Sequence, residues 1–488
     1  LKVVNNFAES NGGGLSAQDD CEPLILSCSF VGNETNNAGG GTYFHNRCHA
    51  ILRSVTIEDN ISGGDGGALY STDQSNLTIE SSIIKNNNAN GNVGGLYIRD
   101  ANPFIISSTE LEYNQGDAIF ITGGQDHRIS NMSINYNSGN GLLVHYANNF
   151  LVTDSYMSNN GRGVNIHGSA PVISNNLIVN NESAVSFSNG AKPIFVNNTI
   201  SNNNQNDPFH QIEMVNNCFP EFMNSIIWGE SGYDVIKDLH FYGEPSRVKL
   251  SYSIIDEEGI SGFQENNVIL LDGIINSDPQ FTNPEGLDFS LNQSSPGIDA
   301  GNPNTIYNDL DNSQNDLGFQ GGRGLMVFAR GSDPNIWQSY GNVDNYTSLD
   351  PLYMGYAGVN RGQRSYELHI VNTNQNDLTL NNWNSSDDQF SIWTHQSDNS
   401  SNFFPFTVQS NSSSWVNNVS QMWFAFQPNT SGNQNGNITI SSTLNEESLD
   451  LIFNLTGLGY DIPSDVIRVP QDVPEIQFAI DNASDFDT

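Results

Sequence analysis

Positive charge is scarce in this 488-residue sequence, with 16 Lys and Arg against 54 Asp and Glu and a net charge of -38. Such a surface repels phosphate backbones and anionic lipid, which excludes nucleic acid as a partner. Cysteine is nearly absent. The four residues Cys21, Cys28, Cys48 and Cys218 form no CxxC pair, which argues against zinc or thioredoxin-like chemistry. No apolar run approaches the ~20 residues of a membrane-spanning helix, and the opening LKVVNNFAESNGGG lacks the basic and apolar regions of a signal peptide. Charged residues of either sign make up only 14% of the chain, so Asn, Ser and Gly carry its polarity, a composition suited to strands and turns.

What is present is a repeat. RSVTIEDN, ESSIIKNN, SNMSINYN, TDSYMSNN, SNNLIVNN and VNNTISNN share an apolar residue followed three positions later by Asn. The apolar column runs Val3, Phe30, Ile57, Ile84, Leu111, Ile134, Met157, Ile178 and Ile200, and continues through Ile227 and Ile255. Its Asn partners after Val3/Asn6 are Asn33, Asn60, Asn87, Asn114, Asn137, Asn160, Asn181 and Asn203. Steps of 27 residues (Phe30 to Ile57) fall to 23 (Leu111 to Ile134) and 21 (Met157 to Ile178), the period of a stacked solenoid. A second short strand, in GGTYF, GGALY, GGLYI, DAIFI, GLLVH, GVNIH and AVSFS, lies between column members.

Two or three short strands per period, tight Gly/Asn turns and no helical periodicity describe a parallel β-helix, an all-β fold. Its apolar residues stack inward at about 4.8 Å per coil, giving a rod of roughly 50 Å. The Asn column is expected to take the left-handed corner conformation and to bond its amides along the stack. Cys21 and Cys48 each precede their column member by nine residues and so stand on adjacent coils. They are either bridged, in an oxidising compartment, or simply two small residues in the stack.

These columns resemble the right-handed parallel β-helices of pectate-lyase-like extracellular proteins. FVGN at 30–33 and GGALY at 66–70 resemble the repeats of bacterial polymorphic outer-membrane proteins and adhesins. The resemblance, over residues 1–323, implies the fold and is nearly silent on activity. SSPGIDAGNPNTIYNDLDNSQNDLGFQGG, residues 294–322, is similar to the closing segment of many secreted bacterial β-helices. Within it Asp309, Asp311, Ser313 and Asn315 alternate as calcium ligands do, with Asp316 adjacent. No Gly at the sixth position and no closing Glu follow, which rules out an EF-hand. The alternatives are a bound calcium and a turn whose Asp and Asn side chains bond their own backbone.

Residues 324–462 change to longer alternating strands suited to a β-sandwich of about 100 residues after a leading linker. FQPNTSGNQNGNITISS and LTGLGY resemble the immunoglobulin-like modules of the abnormal-spindle and hydin type, called choice-of-anchor D in bacterial surface proteins. Trp383, Trp393, Trp415 and Trp423 are read as packing residues rather than a sugar platform. Residues 463–488 then pattern as a short amphipathic helix, resembling the cap that opens secreted β-helices. The chain is therefore expected to be a segment of a longer modular polypeptide with a further β-helix beyond it.

Chemistry is sparse in the sequence. The NTD, paired Asp, GHG and RIK motifs of β-helix hydrolases are absent, and no catalytic or cofactor-binding residue is assigned. The nearest constellation is Arg162 and His167 in GRGVNIHGS, with His145 one coil earlier and Asp154 between them. The expected function is a non-catalytic structural or adhesive segment of a secreted or cell-surface protein. The solenoid would be a rigid shaft, the sandwich a spacer, and the partners further modules of the same polypeptide or other copies in a fibre. The alternative is a carbohydrate-active or carbohydrate-binding β-helix, of lyase or hydrolase kind, with an extracellular polysaccharide as partner.

Overall fold

A computed structural model describes residues 1–101, 103–203, 210–229, 235–239, 244–322, 324–331, 345–347, 352–360, 364–372, 376–394, 404–408, 412–413 and 422–461. The chain forms two compact units, one of Leu1–Asn302 with Ser313–Gly321, the other of Pro303–Asn312 with Gly322–Thr488.

In the first unit the chain visits three parallel sheets in turn, each of 11 strands. Sheet I runs from Lys2–Val4 to Ile254–Ile255, sheet II from Leu15–Gln18 to Ile260–Ser261, and sheet III from Leu24–Leu26 to Val268–Leu270. The apolar column is the inward row of sheet I: Val3 pairs with Phe30, Phe30 with Ile57, Ile57 with Ile84 and Ile84 with Leu111. From Ile57 to Ile255 these side chains are fully buried. Only alternate residues of each strand reach the core, so the apolar/polar alternation fixes which face is which. A fourth, short sheet joins Phe7–Ala8, Glu34–Thr35, Ile61–Ser62 and Asn88–Ala89. It belongs to the 27-residue coils, and the period shortens where it stops.

The Asn column forms a continuous ladder. Asn60 donates its backbone N–H and its Nδ2 to Asn87 Oδ1, at 3.0 and 2.9 Å, and Nδ2 also reaches the Phe30 carbonyl at 3.0 Å. Asn114, Asn137, Asn160 and Asn181 repeat the side-chain step at 2.9 to 3.0 Å, ending on Asn203. The expected corner conformation is corrected by one residue. The ladder Asn residues are not left-handed; their predecessors Asn5, Gly32, Asp59, Asn86, Tyr113, Tyr136, Asn159, Asn180 and Asn202 carry the positive φ. The preceding residue turns the chain, which leaves the ladder amide pointing inward to satisfy buried backbone groups.

A second ladder lies at the corner from sheet III into sheet I. Ser82 N–H donates to Thr109 Oγ1, Ser155 to Asn176 Oδ1, Asn176 to Asn198 Oδ1, and Asn198 to Ser225 Oγ. The sequence pattern had hidden it because Ser, Thr and Asn share the task. At the third corner Cys21 and Cys48 lie 4.5 Å apart between Cα atoms, in a disulfide. Cys28 and Cys218 are free thiols, and burial pushes the Cys218 thiol up to about 12.

Past the last coils, the antiparallel strands Phe281–Asn283 and Asp288–Leu291 lead a segment that lies against the outer side of sheet I. Phe289 packs on Leu177 and Val179, and Leu317 on Ile226 and Ile254. Asn175 Nδ2 donates to the Gly321 carbonyl at 2.8 Å. On the outer side of sheet II, by contrast, Tyr70, Tyr97, Phe120, Leu143, Asn165 and Glu213 stay half-exposed.

The second unit holds two sheets. One contains Leu325–Gly331, Asn345–Thr347, Arg364–Asn372, Phe390–Thr394 and Met422–Phe426, with Ser412–Ser413 paired at its side. The other contains Leu352–Gly358, Leu378–Ser385, Phe406–Val408, Gly432–Leu444 and Glu447–Tyr460. Phe424 and Phe453 bring the sheets together, with ring centroids 5.1 Å apart. Trp383 and Trp423 are half-buried, Trp393 is exposed, and Trp415 lies outside the described residues. The expected helix of 463–488 also lies outside them.

Candidate functional site

Sheet II presents two outward columns. The first reads Ser16, Tyr43, Tyr70, Tyr97, Phe120, Leu143, Asn165, Ser186, Glu213 and Lys237 in register. Tyr43, Tyr70 and Tyr97 stack at 5.6 and 4.5 Å, nearly parallel, and Phe120 meets Tyr97 edge-on at 5.0 Å. Rings stacked on one another hide the faces a sugar would need, so this column is packing along the rod. Burial pushes the Tyr70 hydroxyl up to about 12. His45 Nε2 lies 2.7 Å from Asp73 beside this stack.

The second column becomes polar further along, where Arg99, Thr122, His145, His167 and Ser188 follow in register. His145 meets Phe120 edge-on, and its ring centroid is 4.8 Å from that of His167. Tyr146 Oη is 2.9 Å from His167 Nε2, and Asn189 Nδ2 donates to the same nitrogen at 2.8 Å. Because Nε2 accepts from the amide, the imidazole proton sits on Nδ1 and is held by Ser188 Oγ at 2.9 Å. Burial lowers the pKa of both imidazoles, and the neighbouring His167 lowers that of His145 further. Both are therefore uncharged at neutral pH.

Tyr146 is 56% exposed. Its φ of 51° is a conformation a bulky side chain adopts only at a cost of about 1–2 kcal/mol. Asn189, at φ 53°, occupies the same corner two coils later. Neither residue stood out in the sequence; the signal was the repeat spacing, which places Tyr146, Gly168 and Asn189 one above another.

The sequence constellation is thus divided. His145 and His167 come together. Arg162 heads the same strand, Arg162–His167, and its Nη2 pairs with Glu213 at 3.2 Å. Five residues of strand rise put it about 16 Å from His167. Asp154 is not part of the site, because it follows the sheet III strand Asn148–Thr153. Of the calcium candidates, Asp309 and Asp311 fall in the second unit and Ser313, Asn315 and Asp316 in the first. Asp316 Oδ1 accepts from the Asp299 N–H at 2.8 Å and Asp309 from the Gly322 N–H, the backbone-bonding turn behaviour of such residues. Among the described residues no group of three or more His, Cys, Asp or Glu is placed to hold a metal.

A family model of the right-handed β-helix region matches residues 86–233. No curated protein matches the sequence. Among solved structures, the chain is similar to a family 123 glycoside hydrolase from Clostridium perfringens, studied for glycolipid glycan hydrolysis. That likeness has 11% identity and a TM-score of 0.17, and covers 23% of this chain and 23% of that one. It is also similar to the A-module of the Azotobacter vinelandii mannuronan C-5 epimerase AlgE4, with 12% identity and a TM-score of 0.24, over 55% of this chain and 90% of the module. The solenoid is a right-handed β-helix. The expectation of a chain that is not an enzyme is withdrawn; the two solved structures are of a glycoside hydrolase and a C-5 epimerase.

Proposed function

We propose that the outward face of sheet II around Tyr146 and His167 is a carbohydrate site and that the protein is carbohydrate-active. The observation that carries this reading is an exposed phenol, held in a costly backbone conformation, bonded to an uncharged imidazole at 2.9 Å. With Nδ1 protonated and fixed by Ser188, His167 Nε2 is the basic nitrogen, and it can take a proton once Asn189 Nδ2 gives up its bond to it. A sugar hydroxyl placed on Tyr146 Oη can pass its proton through the phenol to Nε2, a general-base relay. Asn165, Ser186 and Asn189 supply neutral hydrogen-bonding groups around it. The net charge of -38 opposes a polyanion, and Arg162 on this face is already paired with Glu213, so the ligand is a neutral glycan.

The test is a panel of neutral and uronate polysaccharides, scored for binding and for product. Neutral glycans should bind, and Tyr146→Phe or His167→Ala should remove turnover; a panel without any bound or altered glycan would overturn the reading.

We further read the second unit as an immunoglobulin-like spacer and the setting as extracellular. The facing sheets joined through Phe424 and Phe453 support the first, and the Cys21–Cys48 disulfide supports the second.

A further inference from the structure

His145 is the one ring at this site that the relay does not use. Its nitrogens make no hydrogen bond among the described residues, yet it is only half-exposed and is held edge-on by Phe120. Its strand partner in the parallel register is His167. The two imidazoles stand on neighbouring strands, 4.8 Å apart between centroids and tilted by 39°. The hydroxyl of Tyr146, 2.9 Å from His167 Nε2, supplies a third donor on the open side.

We infer that His145, His167 and Tyr146 form a binding site for a borderline divalent transition-metal ion, Cu²⁺ or Zn²⁺. The donor set decides the class of ion. Uncharged imidazole nitrogens suit copper and zinc and are poor ligands for calcium or magnesium, which take oxygen. With two or three protein donors the ion keeps open positions, as catalytic rather than structural zinc sites do. Binding moves Asn189 off Nε2. The ion would take Tyr146 Oη and His167 Nε2, the groups the glycan reading also uses, so ion and sugar compete for them while His145 serves the ion alone.

The test is Cu²⁺ titration of the full chain, followed by electron paramagnetic resonance, beside His145→Gln and His167→Gln variants whose circular dichroism reports folding. The expected result is one site whose spectrum shows nitrogen hyperfine structure, weakened roughly tenfold or more by either substitution. The -38 chain will also attract cations loosely through its carboxylates. Oxygen-only coordination, or equal affinity in wild type and both variants, would overturn the inference. Zn²⁺ competition should displace the copper signal, whereas Ca²⁺ at the same concentration should not. Glycan binding measured in chelator reports separately on the carbohydrate reading.

Discussion

Gly168 lies directly beneath the ring of Tyr146. A Cβ at this position would come within 2.3 Å of Tyr146 Cε1, and Gly168 itself has a φ of 58°. Gly168→Ala should therefore lift the phenol away from His167 and add backbone strain, for a loss of about 1–2 kcal/mol in stability. Urea denaturation would measure the cost. Glycan turnover should fall further than the stability loss explains, close to that of Tyr146→Phe.

The ladder should be weakest where it is cut in the middle. Asn60→Ala would leave the buried Asn33 amide without the oxygen that takes its N–H at 2.9 Å and its Nδ2 at 3.0 Å. Two unmet buried donors cost on the order of 2–4 kcal/mol. Asn6, at the exposed first coil, makes its own amide bond to Asn33 at 2.8 Å in a part-buried setting. Asn6→Ala should cost less than half as much, and a comparison of denaturation midpoints decides the point.

Acid should unfold the first unit through His127. This imidazole is buried in the core of the solenoid, stacked 4.3 Å from Phe104, with Nε2 against the Gly123 carbonyl at 3.2 Å. Burial lowers its pKa from 6.5 to about 4. Above pH 6.5 it is neutral in both folded and unfolded chains and stability is unaffected. As pH falls below 6.5 the unfolded chain takes up the proton first, so stability drops until about pH 4. The full loss is about 3 kcal/mol. His127→Phe should flatten this part of the stability profile. A profile of unchanged slope would show that carboxylates alone govern it.

Reduction of the Cys21–Cys48 bridge opens a loop of 27 residues. The entropy returned to the unfolded chain predicts a loss of about 3 kcal/mol, confined to the first coils. Hydrogen exchange with and without reductant should show faster exchange over the strands Leu15–Gln18 to Ala50–Arg53. Unreduced mass mapping that found both thiols free would dispose of the bridge.

The coils were legible because each one repeats the same problem. An inward row must be apolar, and Val3 through Ile255 could be read off by spacing alone. The second ladder was not legible, since Ser82, Thr109, Ser155 and Asn176 meet the same backbone need with three residue types. His127 escaped for the opposite reason: a single imidazole in an apolar row carries no pattern. The site was half legible. His145 and His167 follow from the repeat, but Tyr146 and Asn189 sit at corners, where the strand alternation gives no direction. Asp154 was misleading because nearness in sequence crosses from sheet III into the corner before sheet I.

The short fourth sheet ends at Asn88–Ala89, and with it the coil loses four residues, from the 27-residue spacing of Asn87 and Asn114 to the 23 of Asn114 and Asn137. All three long sheets continue through that step without a change of register. Insertions and deletions at this corner are thus decoupled from the rest of the lattice. A coil of either length can be spliced beside the other, and a designer could graft a loop between Asn114 and Ile119 while the face bearing Tyr146 keeps its geometry.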